Sequence, residues 1–262
     1  MKKATPFNPP LRIFIINLIV IFLFSGCTTF YNPATGKKEF IAISTYEEVK
    51  MGEDIHNKLK KKFKFSKDKE KLDKLQKIGE RVVLVSDRQD YKYNFFLVNN
   101  DELNAFTTPG GNIYVNTGII DKLTTDDQIA SVIAHEVAHC AARHTVKKFQ
   151  VSLGYDFVGD FIFNNVQMSN MTKQVASLGA DFVVNIIFSA YSRKDEYEAD
   201  KIGIKYLYLS GYNPSAIVEV LDILLKESKG FRGFLVLRSH PYLEDRIKVA
   251  RSEMKVVKSR YK

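Results

Sequence analysis

The sequence is poor in cysteine and in long apolar runs, and both shortages narrow the class of protein. Its two cysteines, Cys27 and Cys140, are too few for the disulfide framework of a small secreted domain. After residue 26 no apolar stretch approaches the roughly 20 residues with which a helix crosses a bilayer. The sequence therefore does not predict a protein that spans a membrane several times. It contains no internal repeat, which argues against a solenoid or a propeller.

The composition is that of a globular protein. Of the 262 residues, 45% are hydrophobic and 26% are charged, so the chain can bury a substantial core and is not expected to be disordered. The net charge is +9, and much of it lies in the stretch from Leu59 to Lys77. Asp68, Glu70 and Asp73 interrupt this basic stretch, which therefore indicates a solvated helix face. We expect no nucleic-acid partner.

The N-terminus has the pattern of an export signal. Residues 1–12 carry three positive charges and no acid, and the apolar run "IFIINLIVIFLF" follows. The run ends in "LFSGC", which resembles the lipobox of bacterial lipoproteins, although Phe24 stands where a leucine-like residue is usual. The resemblance implies cleavage before Cys27, lipidation of Cys27, and a mature chain of net charge +6 once the three leading cations are removed. An uncleaved N-terminal anchor is the alternative.

The rest of the sequence predicts several helices and a small sheet. Ser44 and Glu47 have the spacing of a capping box, so a helix should begin near Thr45. A Thr-Pro-Gly-Gly turn ending at Gly111 should separate two short strands. The further predicted elements are a second helix up to about Val85, a strand at Tyr93–Asn99, the two short strands within Leu103–Asn116, a helix from Thr125 to Phe149, and an amphipathic helix within Val151–Ala190.

Three of the five histidines lie within the ten residues from His135 to His144. His135 and His139 are four residues apart, so a helix places both imidazoles on one face, where they can bind one metal ion. Glu136 lies between them, and the pattern H-E-x-x-H thus supplies two ligands and a general base. A helix with two structural histidines is the alternative. His144 is two and a half turns from His135, so a continuous helix would place it on the opposite side, at the surface.

A catalytic zinc site needs a third protein ligand and leaves one position to water. The stretch "SRKDEYEADKIG" offers Glu196 and Asp200, which share one helical face. Glu196 is the candidate third ligand, and Asp200 is the candidate acceptor for the second ring N–H of a ligand histidine. We expect Glu198 to point elsewhere, into solvent. Taken alone, these acids are equally consistent with ordinary surface charge.

Four stretches, taken together and in order, resemble one protein family. They are "NAFTTPGGNIYVNTGII", "HEVAHCAARH", "SRKDEYEADKIG" and "SHPYLEDRI". They resemble the HtpX/CAAX-prenyl-protease family of zinc metallopeptidases, in particular its exported lipoprotein-type members, over about residues 32–251. The resemblance implies one Zn²⁺ per chain bound by His135, His139 and Glu196, with Glu136 as the catalytic base and Asp200 supporting a ligand.

Two further expectations follow from this resemblance. His240, in the Ser-His-Pro stretch, is implied to lie close to the metal, where it either stabilises the oxyanion or occupies the open coordination position. Without the family, an isolated histidine before a proline is more often structural. The strand after the turn is implied to be an edge strand beside the metal that pairs with an extended substrate; it comprises Asn112, Ile113, Tyr114 and Val115.

The sequence as a whole predicts a predominantly helical α+β fold. We expect a zincin-like domain with a small mixed β-sheet and an active-site helix over residues 44–255, after a signal peptide (1–26) and a tether (27–43), and before a basic tail (256–262). The expected function is zinc-dependent hydrolysis of unfolded or misassembled envelope proteins. Because Thr28 and not aspartate follows Cys27, we expect a lipid anchor in the outer membrane, facing the periplasm. The rivals are a lipoprotein chaperone that binds extended polypeptides, and a scaffold with a structural metal site closed by His240.

Overall fold

The computed structural model describes residues 29–41, 43–164, 171–228 and 239–261. The predicted signal peptide and the predicted lipidation site, Cys27, lie outside these ranges. The strands are β1 (Thr29–Asn32), β2 (Lys37–Phe40), β3 (Asn94–Val98), β4 (Ala105–Thr108) and β5 (Asn112–Asn116). The helices are α1 (Thr45–Lys62), α2 (Lys69–Val83), α3 (Thr117–Lys122), α4 (Asp126–Ala141), α5 (His144–Asn164), α6 (Met171–Ser177), α7 (Ala180–Phe188), α8 (Arg193–Leu209), α9 (Ala216–Ser228) and α10 (Leu243–Arg260). The predicted α+β, mostly helical fold is confirmed.

The helices begin where local sequence satisfies their first N–H groups. Ser44 caps α1 in the predicted capping box with Glu47. Ser192 caps α8 in the same way, with Asp195 as its partner. Thr125 caps α4 through a hydrogen bond from the backbone N–H of Gln128. The caps of Thr125 and Ser192 thus define where α4 and α8 begin. These two helices carry the H-E-x-x-H and E-x-x-x-D patterns.

The three-stranded sheet has the order β3-β5-β4, with β5 parallel to β3 and antiparallel to β4. The prediction that Asn112, Ile113, Tyr114 and Val115 form an edge strand is therefore wrong, because β5 is the central strand. Ile113 and Val115 join the core on the α4 side of the sheet, whereas Tyr114 joins the core on the other side. A strand buried on both faces needs the continuous apolar run that this segment has.

Helix α4 is enclosed by the rest of the fold. It packs against α8, α2, α9 and strand β4, and nearly all of its side chains are buried. Gly203 on α8 lies against the backbone of Ala134 and His135, and a Cβ atom at this position would come within 3.4 Å of that backbone. Residues 196, 200 and 203 share one face of α8. This contact therefore brings Glu196 and Asp200 opposite the histidines of α4.

The predicted helix from Thr125 to Phe149 is interrupted. Helix α4 ends at Ala141, and α5 begins at His144. Between them, Arg143 has a φ of 56°, a left-handed backbone conformation that is uncommon for a residue with a side chain. Its guanidinium is held by Glu48 Oε2 at 2.9 Å and by the carbonyl of Ile43 at 3.0 Å. The tertiary contacts of Arg143 thus fix the change in chain direction.

The segment Val151–Ala190, predicted as an amphipathic helix, contains the end of α5 and the separate helices α6 and α7. The segments predicted as tether and tail carry regular structure where the structure describes them: β1 and β2 form an antiparallel hairpin, and α10 continues to Arg260 with Val257 buried. None of the helices in the described ranges is long and apolar enough to cross a membrane.

Candidate metal centre

Four buried side chains from three parts of the fold converge on one point. Helix α4 supplies His135 and His139, α8 supplies Glu196, and the segment before α10 supplies His240. His139 Nε2 lies 3.1 Å from His135 Nε2 and 3.4 Å from Glu196 Oε1, and His240 Nδ1 lies 2.9 Å from the same Glu196 oxygen. All four donor atoms lie within 4.8 Å of one another. Nitrogen and oxygen donors that bind a metal at roughly 2.0–2.2 Å have separations of this order, so the set fits a divalent ion.

Glu136 lies beside this cluster with an acceptor that is free among the described residues. The side chain is buried, and its Oε2 atom has no hydrogen-bond partner there. Its Oε1 atom lies 3.7 Å from His240 Nε2, which also lacks a partner. Burial raises the pKa of Glu136, although His240 and His135 act in the opposite direction. A buried carboxylate with an unused oxygen is suited to accept a proton from a small molecule in the cleft.

Asp200 and Arg246 support the cluster from behind. Asp200 Oδ1 lies 2.9 Å from His135 Nδ1, so the proton of that ring belongs on Nδ1 and the lone pair of Nε2 faces the other donors. Arg246 Nη1 lies 2.6 Å from Glu196 Oε2. Burial alone would raise the pKa of Glu196 and of Asp200, but the Arg246 guanidinium and the neighbouring histidines together lower the pKa of both. No motif in the sequence assigns a role to Arg246, although this residue lies in the stretch "SHPYLEDRI" that also contains His240.

The expectation that His144 lies at the surface is wrong. Its side chain is buried, its Nδ1 lies 3.0 Å from His139 Nδ1, and its Nε2 lies 3.2 Å from Glu198 Oε2. The interruption of the helix at Arg143 explains the difference, because the argument from helical turns holds only for a continuous helix. Glu198 was likewise expected in solvent, and instead it contacts His144 and forms an ion pair with Lys37.

An aromatic ring forms one wall of the cluster. The ring of Tyr191 stacks on that of His139 with centroids 4.1 Å apart. The backbone N–H of Tyr191 donates to the carbonyl of Ser239 at 3.1 Å, next to His240. Lys148 Nζ lies 3.3 Å from the centre of the Tyr191 ring and donates to the carbonyls of Ile187 and Ser189. These contacts tie the segment between α7 and α8 to the cluster.

A cleft lined mainly by apolar side chains opens beside His135 and Glu136. Asn104 lies in its wall at the start of β4, and the Nδ2 atom of this side chain has no partner among the described residues. The other polar residues of the wall are His135, Glu136, His240 and Arg246, which are described above, and Ser131, which lies one turn before His135 on α4. The apolar side chains that line the cleft are Leu103, Ala105, Ile119, Val132, Ile217, Val220, Leu221 and Leu224.

The fold and this cluster define a zincin-like metallopeptidase domain, and sequence comparison places the chain in a family of such enzymes. Residues 69–254 match peptidase family M48, and the chain belongs to that family. The resemblance to the HtpX/CAAX-prenyl-protease metallopeptidases, which are part of M48, is thereby confirmed. The hairpin and α1 precede the matched region.

Curated relatives include proteins from bacteria and from mitochondria. The beta-barrel assembly-enhancing protease of Escherichia coli strain K12 is 28% identical over 225 residues, which are 84% of this chain and 46% of that protein. The mitochondrial metalloendopeptidase OMA1 of Schizosaccharomyces pombe is 24% identical over 223 residues, 83% of this chain and 64% of that protein. The chain thus spans about half the length of the bacterial relatives that it matches.

Proposed function

We propose that the chain is a zinc-dependent metalloendopeptidase of the cell envelope that hydrolyses peptide bonds in unfolded or misassembled envelope proteins. The observation that carries the proposal is the convergence of two imidazoles and a carboxylate on one point, beside an oxygen of Glu136 that no other described residue contacts by a hydrogen bond. Membership in peptidase family M48 and the similarity to named proteases support the reaction type.

In this proposal His135, His139 and Glu196 hold one Zn²⁺. A zinc ion bound there supplies Lewis-acid chemistry, because it polarises a peptide carbonyl and lowers the pKa of a water molecule towards about 7. Glu136 accepts a proton at its unpaired Oε2 atom and delivers it to the leaving amine. Asp200 keeps the proton of His135 on Nδ1, so that Nε2 remains a ligand.

The cleft favours extended polypeptide with an apolar side chain next to the cleaved bond. Strand β4 has only one neighbour, β5, among the described strands, and its first residue, Ala105, lines the cleft. We propose that substrate pairs with β4, in place of the central strand β5. Backbone pairing gives affinity with little dependence on side chains, which suits unfolded segments. Asn104 Nδ2, which has no partner within the described ranges, offers a donor for a substrate carbonyl.

His240 has two proposed roles that one variant separates. Its Nδ1 atom lies among the donor atoms, 3.3 Å from His135 Nε2, which favours a role as fourth ligand. Its Nε2 atom has no partner among the described residues, which favours a role as donor to the oxyanion. If the site is purely structural, His240→Ala should abolish zinc retention. If His240 stabilises the oxyanion or gates the centre, the variant should retain zinc.

The test of the function is digestion of an unfolded protein such as casein by the purified chain. Zinc content should approach one per chain, cleavage should stop with a chelator and return with zinc, and Glu136→Gln should bind zinc without cleaving. N-terminal mapping of the products gives the residues beside the cleaved bond. A chain that binds casein but never cleaves it would instead support the rival function, a chaperone or assembly factor.

The proposed location has a separate test. We propose that Cys27 carries the lipid and that the protein is anchored in the outer membrane, facing the periplasm. Cys27→Ala should then move the protein from the membrane fraction to the soluble periplasmic fraction. Retention of the variant in the membrane fraction would support the alternative, an uncleaved N-terminal anchor.

A further inference from the structure

A chain of polar contacts leads from His139 to the N-terminal hairpin. His139 Nδ1 lies 3.0 Å from His144 Nδ1, and His144 Nε2 lies 3.2 Å from Glu198 Oε2. The other oxygen of Glu198, Oε1, accepts a hydrogen bond from Lys37 Nζ on strand β2. His144 is 2% exposed, so water does not replace its partners. These side chains come from four elements: α4, α5, α8 and β2.

When His139 binds a metal, one arrangement of protons gives each hydrogen bond of this series a donor and an acceptor. A histidine ligand offers the lone pair of one nitrogen and carries its proton on the other. His139 Nε2 faces the donor cluster, so its proton is on Nδ1 and is donated to Nδ1 of His144. The proton of His144 then lies on Nε2 and is donated to Glu198, which is acceptor-only when ionised.

We propose that His144 is a positioning residue for the metal ligand His139, and that Glu198 and Lys37 fix the orientation of His144 in turn. The inference rests on the proposed function, because it requires His139 to bind the ion. Asp200 already performs this task for His135, at 2.9 Å. Each α4 histidine thus has its own acceptor on Nδ1, and the acceptor of His139 is a second imidazole.

The position of Lys37 shows where this series of polar contacts ends. Lys37 precedes the region that matches the peptidase family, and it lies in the segment that follows the proposed lipid anchor. Its side chain is half exposed, whereas that of Glu198 is 14% exposed. The hydrogen bonds therefore link the metal ligand to a surface hairpin next to the membrane-proximal end of the chain.

Two variants of His144 in the full purified chain test the proposal. His144→Asn places an amide oxygen near the former Nδ1 position and keeps an acceptor for His139, whereas His144→Leu keeps the volume and removes the acceptor. Zinc affinity is measured by competition with a chelator, and the visible spectrum of the Co²⁺-substituted protein reports the ligand geometry. We expect His144→Leu to weaken zinc binding by about 10- to 100-fold and to alter the Co²⁺ spectrum. His144→Asn should recover most of the affinity.

Variants of Glu198 and Lys37 test the same hydrogen bonds without changing the packing around the buried His144. Glu198→Gln and Lys37→Met should each weaken zinc binding by less than His144→Leu does. The matched control is Lys201→Met, which removes a half-exposed lysine from the same face of α8 and breaks a 3.5 Å ion pair with Glu253. It should leave zinc affinity unchanged.

The outcomes separate the two proposals. If the wild-type chain fails to bind zinc, the proposed function fails. If the wild type binds zinc and His144→Leu matches it in affinity and Co²⁺ spectrum, the role of His144 is refuted. Equal loss of zinc affinity in His144→Asn and His144→Leu, with an equal fall in the melting temperature of the metal-free protein, would also refute it, because His144 would then act through packing.

Discussion

Arg246 donates two hydrogen bonds to Asp200, from Nε to Oδ2 at 2.8 Å and from Nη2 to Oδ1 at 2.7 Å. Both side chains are buried, and the third nitrogen of the guanidinium, Nη1, contacts Glu196. One arginine therefore pairs with both carboxylates on the α8 side of the cluster, and its single positive charge offsets only one of their two negative charges. The remaining charge of the cluster is the one that a divalent ion would meet.

The first prediction concerns this arginine. Arg246→Met leaves two buried carboxylates without a cation, and removing one partner of a buried ion pair typically destabilises a protein by about 3–5 kcal/mol. We expect a loss of this order in the free energy of unfolding, measured by denaturant titration in the presence of a chelator. The control is Arg251→Met, whose exposed partner Asp222 lies 3.7 Å away, and which should change stability by about 0–1 kcal/mol. Similar losses for both variants would contradict the prediction.

The second prediction concerns the contact of α1 with the turn before β5. A Cβ atom added to Gly52 would lie 2.1 Å from the carbonyl oxygen of Pro109, so the backbone would have to move. Overpacking of this kind costs about 1–3 kcal/mol, and we expect Gly52→Ala to lower the free energy of unfolding by that amount. Gly154 is the matched helical control, because among the described residues no heavy atom outside the backbone of its own helix lies within 4 Å of the added carbon. Gly154→Ala should instead stabilise α5 by roughly 0.5–1 kcal/mol.

The third prediction concerns the selectivity of the cleft. Val220 lines the apolar cleft, so Val220→Phe should fill part of it, and large apolar side chains of the substrate should no longer fit. We compare two peptides that differ only in having leucine or alanine at the site of cleavage. The ratio of kcat/KM for the leucine peptide to that for the alanine peptide should fall by about tenfold or more, because a pocket typically discriminates a methylene-sized difference by at least that factor. Val256→Phe, on the exposed face of α10, should leave the ratio unchanged. An equal fall for both peptides would show that the cleft does not select the side chain.

The fourth prediction concerns the pH dependence of stability. Burial lowers the pKa of Lys148 from 10.5 to about 7, against the opposing effect of Glu196, Glu136 and Asp195. Between these two pH values the unfolded chain binds one more proton at this lysine than the folded chain does, so stability rises with pH there. As the pH rises from 7 towards 10, the free energy of unfolding of the wild type should therefore increase relative to that of Lys148→Met. Parallel curves for the two proteins would show that Lys148 stays protonated in the fold.

The parts of the site that the sequence predicts are those encoded by short-range spacing. The four-residue intervals in H-E-x-x-H and E-x-x-x-D place each pair of side chains on one helical face whatever the rest of the fold does. The capping box of Ser44 and Glu47 likewise defines the start of α1 through contacts within one turn. Such features need no knowledge of which elements become neighbours.

The features of the fold and site that the sequence does not predict depend on contacts between distant segments. The chain turns after α4 at an arginine, where glycine or asparagine is the usual sign of a left-handed residue. Glu48 stabilises that turn, and nothing near Arg143 in the sequence indicates this partner. The central position of β5 has the same origin, because it follows from the pairing of β3 on its far side. His144 and Glu198 were misplaced for this reason.

The enclosure of α4 has a consequence for exchange of the ion. Because α8, α2, α9 and β4 surround this helix, the described part of the chain leaves its two histidines no exposed rear side through which an ion could pass. Within the described residues, the cleft beside Glu136 is the route that remains open. Under the proposed function, a peptide bound in that cleft would block the route, and loss of the bound ion to a chelator should be slowest while the peptide is bound.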